Sequence, residues 1–212
     1  MKYQGIIFDL DGVICSTDHY HFLAWKALAD RLGIYFDETI NNRLRGVSRM
    51  ASLKIVLERS SVSYTEEEKA AFAEEKNNLY RELLKNMSPA DLAPEVKETM
   101  DALRAKGLKL GIGSSSKNTK TILNQLGLGD YFDAVADGTD IVRAKPDPEV
   151  FLLAAQRLGI APADCAVVED AVAGIEAAKA AGMTALALFG TARGCGLEDH
   201  DLNSFSDLLN VL

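Results

Sequence analysis

The sequence is poor in cysteine, and its three cysteines, Cys15, Cys165 and Cys195, lie far apart. No Cys-x-x-Cys spacing occurs, so neither a zinc site nor a disulfide framework is indicated. No apolar run approaches the length of a membrane span, and the amino terminus lacks a signal-peptide pattern. We therefore expect a protein of the reducing cytoplasm that has no membrane partner.

Positive charge is also scarce. The chain has 23 lysines and arginines against 31 aspartates and glutamates, which gives a formal net charge of −8. Because a nucleic-acid partner requires a basic surface, none is expected. A small phosphorylated ligand is compatible with this charge, since nearby lysines and arginines dominate the field within a Debye length of about 10 Å.

Short apolar runs alternate with helical periodicity in the carboxyl-terminal part of the chain. The runs at 108–113, 134–136, 166–168 and 184–188 are each separated from the next by a predicted helix. This alternation predicts a parallel sheet with right-handed crossovers. The amino-terminal run Gly5–Phe8 has the composition of a further buried strand of the same sheet.

The segment between these two regions has helical periodicity and no strand pattern. Asp37, Ser48 and Thr65 are predicted helix caps within it, and the last opens a capping box with Glu68. The predicted fold class is therefore α/β, with a Rossmann-like three-layer core of residues 1–15 and 88–212. An all-helical cap domain, residues 16–87, is inserted into it, and we expect it to lie over the end of the first strand.

Two aspartates follow the first strand directly, in Asp9-Leu10-Asp11-Gly12. Because ligands bind at the carboxyl ends of parallel strands, both carboxylates are expected at the mouth of a site. Two adjacent acids repel unless a cation lies between them or one is protonated, and Mg²⁺ prefers such oxygen ligands. One interpretation is a metal-assisted site with Asp9 as nucleophile and Asp11 as acid and base. The alternative is a solvated acidic turn.

The ends of three later strands also carry polar groups. Ser114 follows the second, Lys145 with Pro146 the third, and Glu169 with Asp170 the fourth. Hydroxyls at a helix start bind phosphate, and an acid pair suits a metal. Taken singly, each has an ordinary alternative: a helix cap at Ser114, a solvated lysine, or a turn in which Asp170 caps the next helix. Four such strand ends in succession favour the functional interpretation.

Together these four motifs resemble those of the haloacid dehalogenase superfamily, and the resemblance covers the whole chain. The stretches Ala24-Trp25-Lys26-Ala27-Leu28 and Gly46-Val47-Ser48-Arg49 resemble the β-phosphoglucomutase family in particular. So do Tyr20-His21-Phe22, Lys76-Asn77-Asn78, Ser88-Pro89-Ala90-Asp91 and Ser116-Lys117-Asn118. Members of that family interconvert β-glucose 1-phosphate and glucose 6-phosphate through β-glucose 1,6-bisphosphate.

The resemblance implies roles for individual residues. Asp9 forms an aspartyl phosphate, Asp11 exchanges protons with the sugar oxygen, and Ser114 and Lys145 hold the transferring phosphoryl group. Mg²⁺ is held by Asp9, the backbone carbonyl of Asp11, Glu169 and Asp170. Glucose 1,6-bisphosphate is the activating intermediate.

The resemblance also implies a second phosphate site, made by Arg49 with Ser116, Lys117 and Asn118. His21 and Lys76 position Asp11, and Thr17 lies at the hinge of the cap. Three side chains have structural alternatives: Arg49 as a surface helix arginine, His21 as part of an amphipathic helix and Trp25 as cap core. The full set of predicted substrate-binding residues is His21, Trp25, Gly46, Val47, Arg49, Ser52, Lys76, Ser115, Ser116, Lys117 and Asn118.

The predicted function is thus that of a monomeric, Mg²⁺-dependent phosphomutase acting on a small sugar phosphate. A phosphatase for sugar phosphates on the same scaffold is the first alternative, with water replacing the sugar hydroxyl. A non-catalytic protein that binds phosphosugars is the second. Arg49 favours the mutase, and the complete set of Asp9, Asp11, Lys145, Glu169 and Asp170 argues against the non-catalytic protein.

Overall fold

A computed structural model of the chain describes residues 3–44 and 48–212. The chain forms two compact units, one made of Met1–Ser16 and Met87–Leu212 and the other of Thr17–Asn86. Each junction lies one residue from the boundary predicted from sequence. Within the described segments, no helix is long and apolar enough to cross a membrane.

A six-stranded sheet, parallel throughout, forms the centre of the first unit, in the order β3-β2-β1-β4-β5-β6. The predicted α/β class with a Rossmann-like core is confirmed. The strands are β1 (Gly5–Phe8), β2 (Lys109–Gly113), β3 (Ala134–Ala136), β4 (Cys165–Glu169), β5 (Thr184–Leu188) and β6 (His200–Leu202).

The second unit consists of helices joined by loops, and its described residues include no strand. Its helices are α1 (Asp18–Arg31), α2 (Glu38–Asn42), α3 (Arg49–Leu57) and α4 (Glu66–Leu84). The three predicted caps are confirmed: Asp37 and Ser48 each accept a hydrogen bond from a first-turn amide, and Thr65 forms the complete capping box. Capping satisfies amides that a helix start otherwise leaves without partners.

The apolar faces of these helices bury a core of their own. Trp25 and Leu28 of α1 pack with Phe36, with Leu53 of α3 and with Ala73 of α4. This internal core explains why residues 17–86 form a compact unit.

Helices flank the sheet in the first unit. They are α5 (Pro94–Ala105), α6 (Thr119–Gln125), α7 (Glu149–Leu158), α8 (Val172–Ala180) and α9 (Leu208–Val211), with short 3₁₀ helices at Pro89–Asp91, Pro162–Asp164 and Phe205–Asp207. Ile7 and Val167 of the sheet pack with Phe151 of α7 and Ile175 of α8. Helical cover makes β1 buried along its whole length, which accounts for its continuous apolar run.

The strand order reverses at β1. The chain passes from β1 to β2 and β3 on one side, then crosses to β4 on the other side of β1. In open α/β sheets the crevice beyond the carboxyl ends of such neighbouring strands is the usual ligand site. The fold therefore brings the residues after β1 and β4 together.

Two parts of the fold differ from the prediction. β6 and α9 carry no signal strong enough to predict: two of the three residues of β6, His200 and Asp201, are exposed, so no apolar run marks it. Helix α6 begins at Thr119, not at the preceding polar residues, because the hydroxyls there organise a turn.

Candidate active site

Asp9 extends β1 by one residue into the crevice. Its amide donates to the carbonyl of Val168 in β4 (3.0 Å), so the backbone is still held by the sheet where the side chain is presented. The chain then turns sharply: Asp11 and Cys15 form an isolated bridge, and the amide of Gly12 donates to the carbonyl of Cys15 (2.7 Å). This tight turn leaves the Asp11 side chain half-buried.

Gly12 allows this turn to lie against Asp170. Its φ of +93° suits glycine, and a Cβ at this position would lie 2.2 Å from Oδ2 of Asp170. No other residue type fits without displacing the carboxylate. Gly12, in the first motif, thus leaves the space that the carboxylate of Asp170, in the fourth motif, occupies.

Lys145 joins the two strand ends. Its Nζ donates to Oδ1 of Asp9 and to Oε1 of Glu169, each at 2.5 Å. The ammonium also lies 4.5 Å from the centroid of the Phe151 ring. With 10% of its side chain exposed, Lys145 is not the solvated lysine of the alternative interpretation.

Glu169 and Asp170 are fixed by the start of α8. The other carboxylate oxygen of Glu169 accepts from the amides of Asp170 (3.0 Å) and Ala171 (3.1 Å). A Cβ on Gly174 would lie 1.9 Å from the carboxylate carbon of Glu169. Helix α8 can therefore lie this close to the Glu169 carboxylate only because residue 174 is a glycine. The helix cap is Ala171, which offers no side-chain acceptor, so the interpretation of Asp170 as a helix cap is wrong.

The carboxylates of Asp9, Glu169 and Asp170 form one acidic cluster, with ligand oxygens within 4.8 Å of one another. Burial raises the pKa of Glu169, and the pKa of Asp170 rises to about 7 through burial and the charges of Glu169, Asp9 and Asp11. Burial alone would lower the pKa of Lys145, but Asp9 and Glu169 raise it above its ordinary value, so it stays protonated.

This cluster suits a hard divalent cation. One ammonium contacts two of the three carboxylates, and the raised pKa values of Glu169 and Asp170 reflect first their burial and then the neighbouring acids. All the ligand atoms are oxygens, which Mg²⁺ prefers over nitrogen or sulfur.

Ser114 follows β2, beside the strand that carries Asp9. It is buried, its amide donates to the carbonyl of Ala136 (3.0 Å), and its Oγ accepts from the amide of Ser116 (3.2 Å). The Ser116 hydroxyl in turn accepts from the amide of Asn118 (3.2 Å). Asn118 is the cap residue of α6 but makes no side-chain cap hydrogen bond.

Exposure differs along this polar turn. Ser116 and Asn118 are half-buried, whereas Ser115 and Lys117 are exposed. The turn therefore presents a mixture of hydroxyl, amide and ammonium groups at the same end of the sheet as Asp9.

In the helical unit, His21 and Lys76 contact each other. The Nζ of Lys76 lies 2.7 Å from Nδ1 of His21, and Lys76 is almost fully buried. Its ammonium lies 4.7 Å from the ring of Trp25 and 4.8 Å from that of Tyr80. Burial, with the charges of Lys76 and Arg49, lowers the pKa of His21 to about 3, so its imidazole is neutral at pH 7.

Three other predicted residues of the helical unit differ from one another in exposure and contacts. Arg49 forms an exposed ion pair with Glu74 (3.5 Å). Ser52 is buried on α3, and Thr17 is the buried residue at which the helical unit begins.

Two predicted ligands, Gly46 and Val47, lie outside the described residues. Trp25 belongs to the cap core and is 2% exposed, which agrees with its structural alternative. A direct contact of Trp25 with substrate stays a prediction.

Comparison with known families resolves the class of protein. The family model for haloacid dehalogenase-like hydrolases matches residues 3–182. The chain belongs to the haloacid dehalogenase family. It is therefore an enzyme of this family, and the non-catalytic alternative falls away.

Relatives within the haloacid dehalogenase family include both kinds of enzyme predicted above. A β-phosphoglucomutase of Bacillus subtilis is 44% identical over 86% of this chain and 82% of its own. A fructose-1-phosphate phosphatase of Escherichia coli, YqaB, is 36% identical over 87% of this chain and 96% of its own. A crystal structure of β-phosphoglucomutase from Clostridium difficile has a TM-score of 0.84 at 38% identity, covering 97% of this chain and 93% of that one.

Two residues that contact predicted site residues were not singled out from sequence, Gly174 beside Glu169 and Tyr80 beside His21 and Lys76. Gly174 lies five positions after Glu169, but a glycine in a helix carries no signal of what it contacts. Tyr80 lies four positions after Lys76 on α4, which places both on one helix face. That spacing was available in the sequence, but it is equally typical of a helix that packs into a core.

Proposed function

We propose that this enzyme is a β-phosphoglucomutase, interconverting β-D-glucose 1-phosphate and glucose 6-phosphate. The observation that carries the proposal is the ammonium of Lys145 held between Asp9 and Glu169, with Asp170 completing the cluster. A nucleophilic carboxylate beside a fixed cation suits phosphoryl transfer, which depends on positioning and on charge neutralisation. The 44% identical relative named β-phosphoglucomutase supports this choice of substrate.

In this mechanism Asp9 is the nucleophile. A carboxylate oxygen of Asp9 attacks phosphorus, the bond from phosphorus to the sugar oxygen breaks, and an aspartyl phosphate forms. Lys145 orients the Asp9 carboxylate through its 2.5 Å contact and neutralises charge on the transferring group. Ser114 donates its hydroxyl to a phosphoryl oxygen.

Asp11 moves the proton. It protonates the sugar oxygen as that oxygen leaves, because an alkoxide is a poor leaving group. In the reverse transfer, a hydroxyl of the bound sugar phosphate gives its proton to Asp11 and attacks phospho-Asp9. The Asp9 carboxylate is regenerated, and the proton count balances over the two steps.

Asp9, Glu169, Asp170 and the backbone carbonyl of Asp11 would hold Mg²⁺ in this proposal. When bound, the ion acts as a Lewis acid that screens the incoming phosphate from the carboxylates. Three carboxylates whose oxygens lie close together, with Asp170 partly buried beside the other acids, support this assignment.

A mutase must also hold a second phosphate, because its bisphosphate intermediate binds in two orientations. We assign that phosphate to Arg49 with Ser116, Lys117 and Asn118, on the basis of sequence resemblance. A guanidinium binds phosphate bidentately. The exposed ion pair of Arg49 with Glu74, of a kind worth about 0–1 kcal/mol, is weak enough for a phosphate to replace.

The decisive assay uses β-glucose 1-phosphate with a trace of the 1,6-bisphosphate. Glucose 6-phosphate should form with little free phosphate. Arg49→Ala should slow mutase turnover while small phosphate donors still phosphorylate Asp9. Arg43→Ala is the matched control, since Arg43 is a cap arginine in a comparable exposed ion pair, with Glu58. If phosphate is released as fast as glucose 6-phosphate appears, the enzyme is a phosphatase and the mutase proposal is wrong.

The metal assignment has its own test. Chelation should abolish activity and Mg²⁺ should restore it, and Asp170→Ala should shift the Mg²⁺ titration strongly upward. Full activity in excess chelator, or an unchanged titration in the variant, contradicts the assignment.

A phosphatase for sugar phosphates is the second candidate, favoured by the 36% identity to YqaB. In that case water attacks phospho-Asp9. Both enzymes form the same aspartyl phosphate, so only the product ratio of the assay above separates them.

A further inference from the structure

Four side chains of the helical unit form a closed cluster, which we call the aromatic cage: His21, Trp25, Lys76 and Tyr80. The Lys76 ammonium lies 4.7 Å from the Trp25 ring and 4.8 Å from the Tyr80 ring. The rings of Tyr80 and His21 stack, with centroids 4.1 Å apart and planes 19° apart. Tyr80 therefore contacts both members of the His21–Lys76 pair.

The contact between Lys76 and His21 fixes the tautomer of the imidazole. An ammonium has donors and no acceptor, so at 2.7 Å it can only donate to Nδ1 of His21. A neutral imidazole that accepts at Nδ1 carries its proton on Nε2. The neutral form is the one favoured here, because burial and the nearby charges of Lys76 and Arg49 lower the pKa of His21.

The two aromatic rings support the charge of Lys76. The face of an aromatic ring attracts a cation, by up to about 2 kcal/mol where water is excluded. Lys76 is 4% exposed, so its ammonium has lost most of its hydration, and these rings and the imidazole are among the groups that replace it. Of the two rings, only that of Tyr80 also stacks on His21, so it alone among the described contacts restrains both partners.

We propose that Tyr80 is a positioning residue, whose ring holds Lys76 on Nδ1 of His21 and so fixes His21 as an Nε2–H donor. The donor serves an acceptor oxygen of the sugar phosphate or of a carboxylate in the reacting complex. This last step rests on the proposed function, whereas the arrangement of the cage itself does not.

The first test is spectroscopic and uses the enzyme without substrate. The ¹⁵N signals of the His21 ring should show an unprotonated Nδ1 and a protonated Nε2. Tyr80→Leu should move both signals toward the average of two exchanging tautomers, and Tyr80→Phe should restore them because the ring is kept. Unchanged signals in Tyr80→Leu overturn the proposal.

Kinetics give the second readout. Tyr80→Leu should lower kcat/KM for β-glucose 1-phosphate roughly tenfold, the equivalent of one cation–π contact. Tyr80→Phe should recover most of that loss. Tyr64→Leu is the matched control, since Tyr64 also belongs to the helical unit but packs edge-on against Phe72 (5.0 Å). Its kcat/KM and its His21 signals should equal those of the wild type.

A fluorinated series covers the case in which Tyr80→Leu does not fold. Phenylalanines with one, two and three ring fluorines at position 80 keep the shape of the ring while weakening its negative face. The ¹⁵N signals of His21 and kcat/KM should change stepwise with fluorine count, and a flat series overturns the proposal.

The outcomes separate this inference from the proposed function. An enzyme inactive on β-glucose 1-phosphate whose His21 signals still depend on the position 80 ring contradicts the function and keeps the cage. If the enzyme is an active mutase but its His21 signals do not depend on the ring at position 80, the proposed role of Tyr80 is contradicted and the proposed function stands.

Discussion

Lys145 in the sheet unit and Lys76 in the helical unit are both largely shielded from solvent, and their surroundings differ. Lys145 in the sheet unit contacts two carboxylates at 2.5 Å, with a third acid in the same cluster. Lys76 in the helical unit contacts a neutral imidazole and two aromatic rings. The sheet cluster contains three carboxylates, whereas the contacts of Lys76 in the aromatic cage are with neutral rings.

The difference indicates different tasks. Excess buried negative charge is costly unless a cation binds, so the sheet cluster is suited to a metal and to a phosphoryl group that arrives with it. The contact of Lys76 with a neutral imidazole lets its ammonium orient that ring. One lysine thus compensates charge, and the other fixes a hydrogen-bonding direction.

Removing the carboxylate of Asp9, the proposed nucleophile, should have the largest effect of the changes considered. Asp9→Asn keeps the size of the side chain but removes the attacking carboxylate, so kcat should fall more than about 10⁴-fold. Rapid-quench mass spectrometry should find phosphate on Asp9 in the wild type and none in the variant.

Asp164→Asn is the control, because Asp164 lies just before β4, at the opposite end of that strand from Glu169, and accepts from Gln4. It should turn over normally. Phosphate found on a serine or a histidine in the wild type would contradict the mechanism.

Replacing each lysine by methionine compares the two clusters directly. Lys145→Met leaves buried carboxylates without their cation, which should cost about 3–5 kcal/mol of unfolding free energy in chelator. The contacts of Lys76 with the imidazole and the two rings involve neutral groups, so their loss in Lys76→Met should cost less, about 1 kcal/mol. Chemical denaturation of both variants measures this.

Repeating the denaturation of both variants with Mg²⁺ tests the same comparison further. Added Mg²⁺ should reduce the loss in Lys145→Met, because a second cation enters the cluster, and should not change the loss in Lys76→Met. Equal losses in the two variants, or an equal response to Mg²⁺, would show that the two surroundings do not differ as described.

A change of pH should alter the stability contributions of the two clusters in opposite directions. The pKa of Asp170 is raised from 3.8 to about 7, so its contribution to stability is present below pH 4 and lost as pH rises to 7. The pKa of His21 is lowered from 6.5 to about 3, so its contribution is present above pH 6.5 and lost as pH falls to 3.

Difference curves isolate these two contributions. Unfolding free energies in chelator, measured from pH 4 to 7, should fall with pH in the wild type relative to Asp170→Asn. They should rise with pH relative to His21→Gln. If both difference curves had the same sign, either the buried surroundings of Asp170 or the neutral state of His21 would be contradicted.

The sequence predicted the sheet cluster well because a strand that ends is visible in sequence. The apolar runs before Asp9, Ser114 and Glu169 each stop at a polar residue, and parallel strands bring those residues to one edge. The contacts of Lys145 with Asp9 and Glu169 were not predicted as such, because a lone lysine in a loop does not reveal its partners.

The aromatic cage was predicted only in part. His21 and Lys76 were singled out by resemblance, but Tyr80 was not. Four-residue spacing on α1 and on α4 is the same whether a helix face packs into a core or carries a site. Short elements such as β6 were missed for a related reason, since three residues with one buried side chain leave no periodicity.

The smallest expected effect tests whether the cage depends on helix stability in general. Thr65 caps α4, about three turns before Lys76, through the reciprocal bonds of its capping box with Glu68. Thr65→Ala should lower the stability of the helical unit by about 1 kcal/mol, and Thr65→Ser should restore it. Neither should change kcat/KM or the ¹⁵N signals of His21, since the cap lies far along the helix from the ring contacts. A loss of kcat/KM in Thr65→Ala as large as that in Tyr80→Leu would show that any weakening of α4 disturbs His21, and the special role of the Tyr80 ring would be lost.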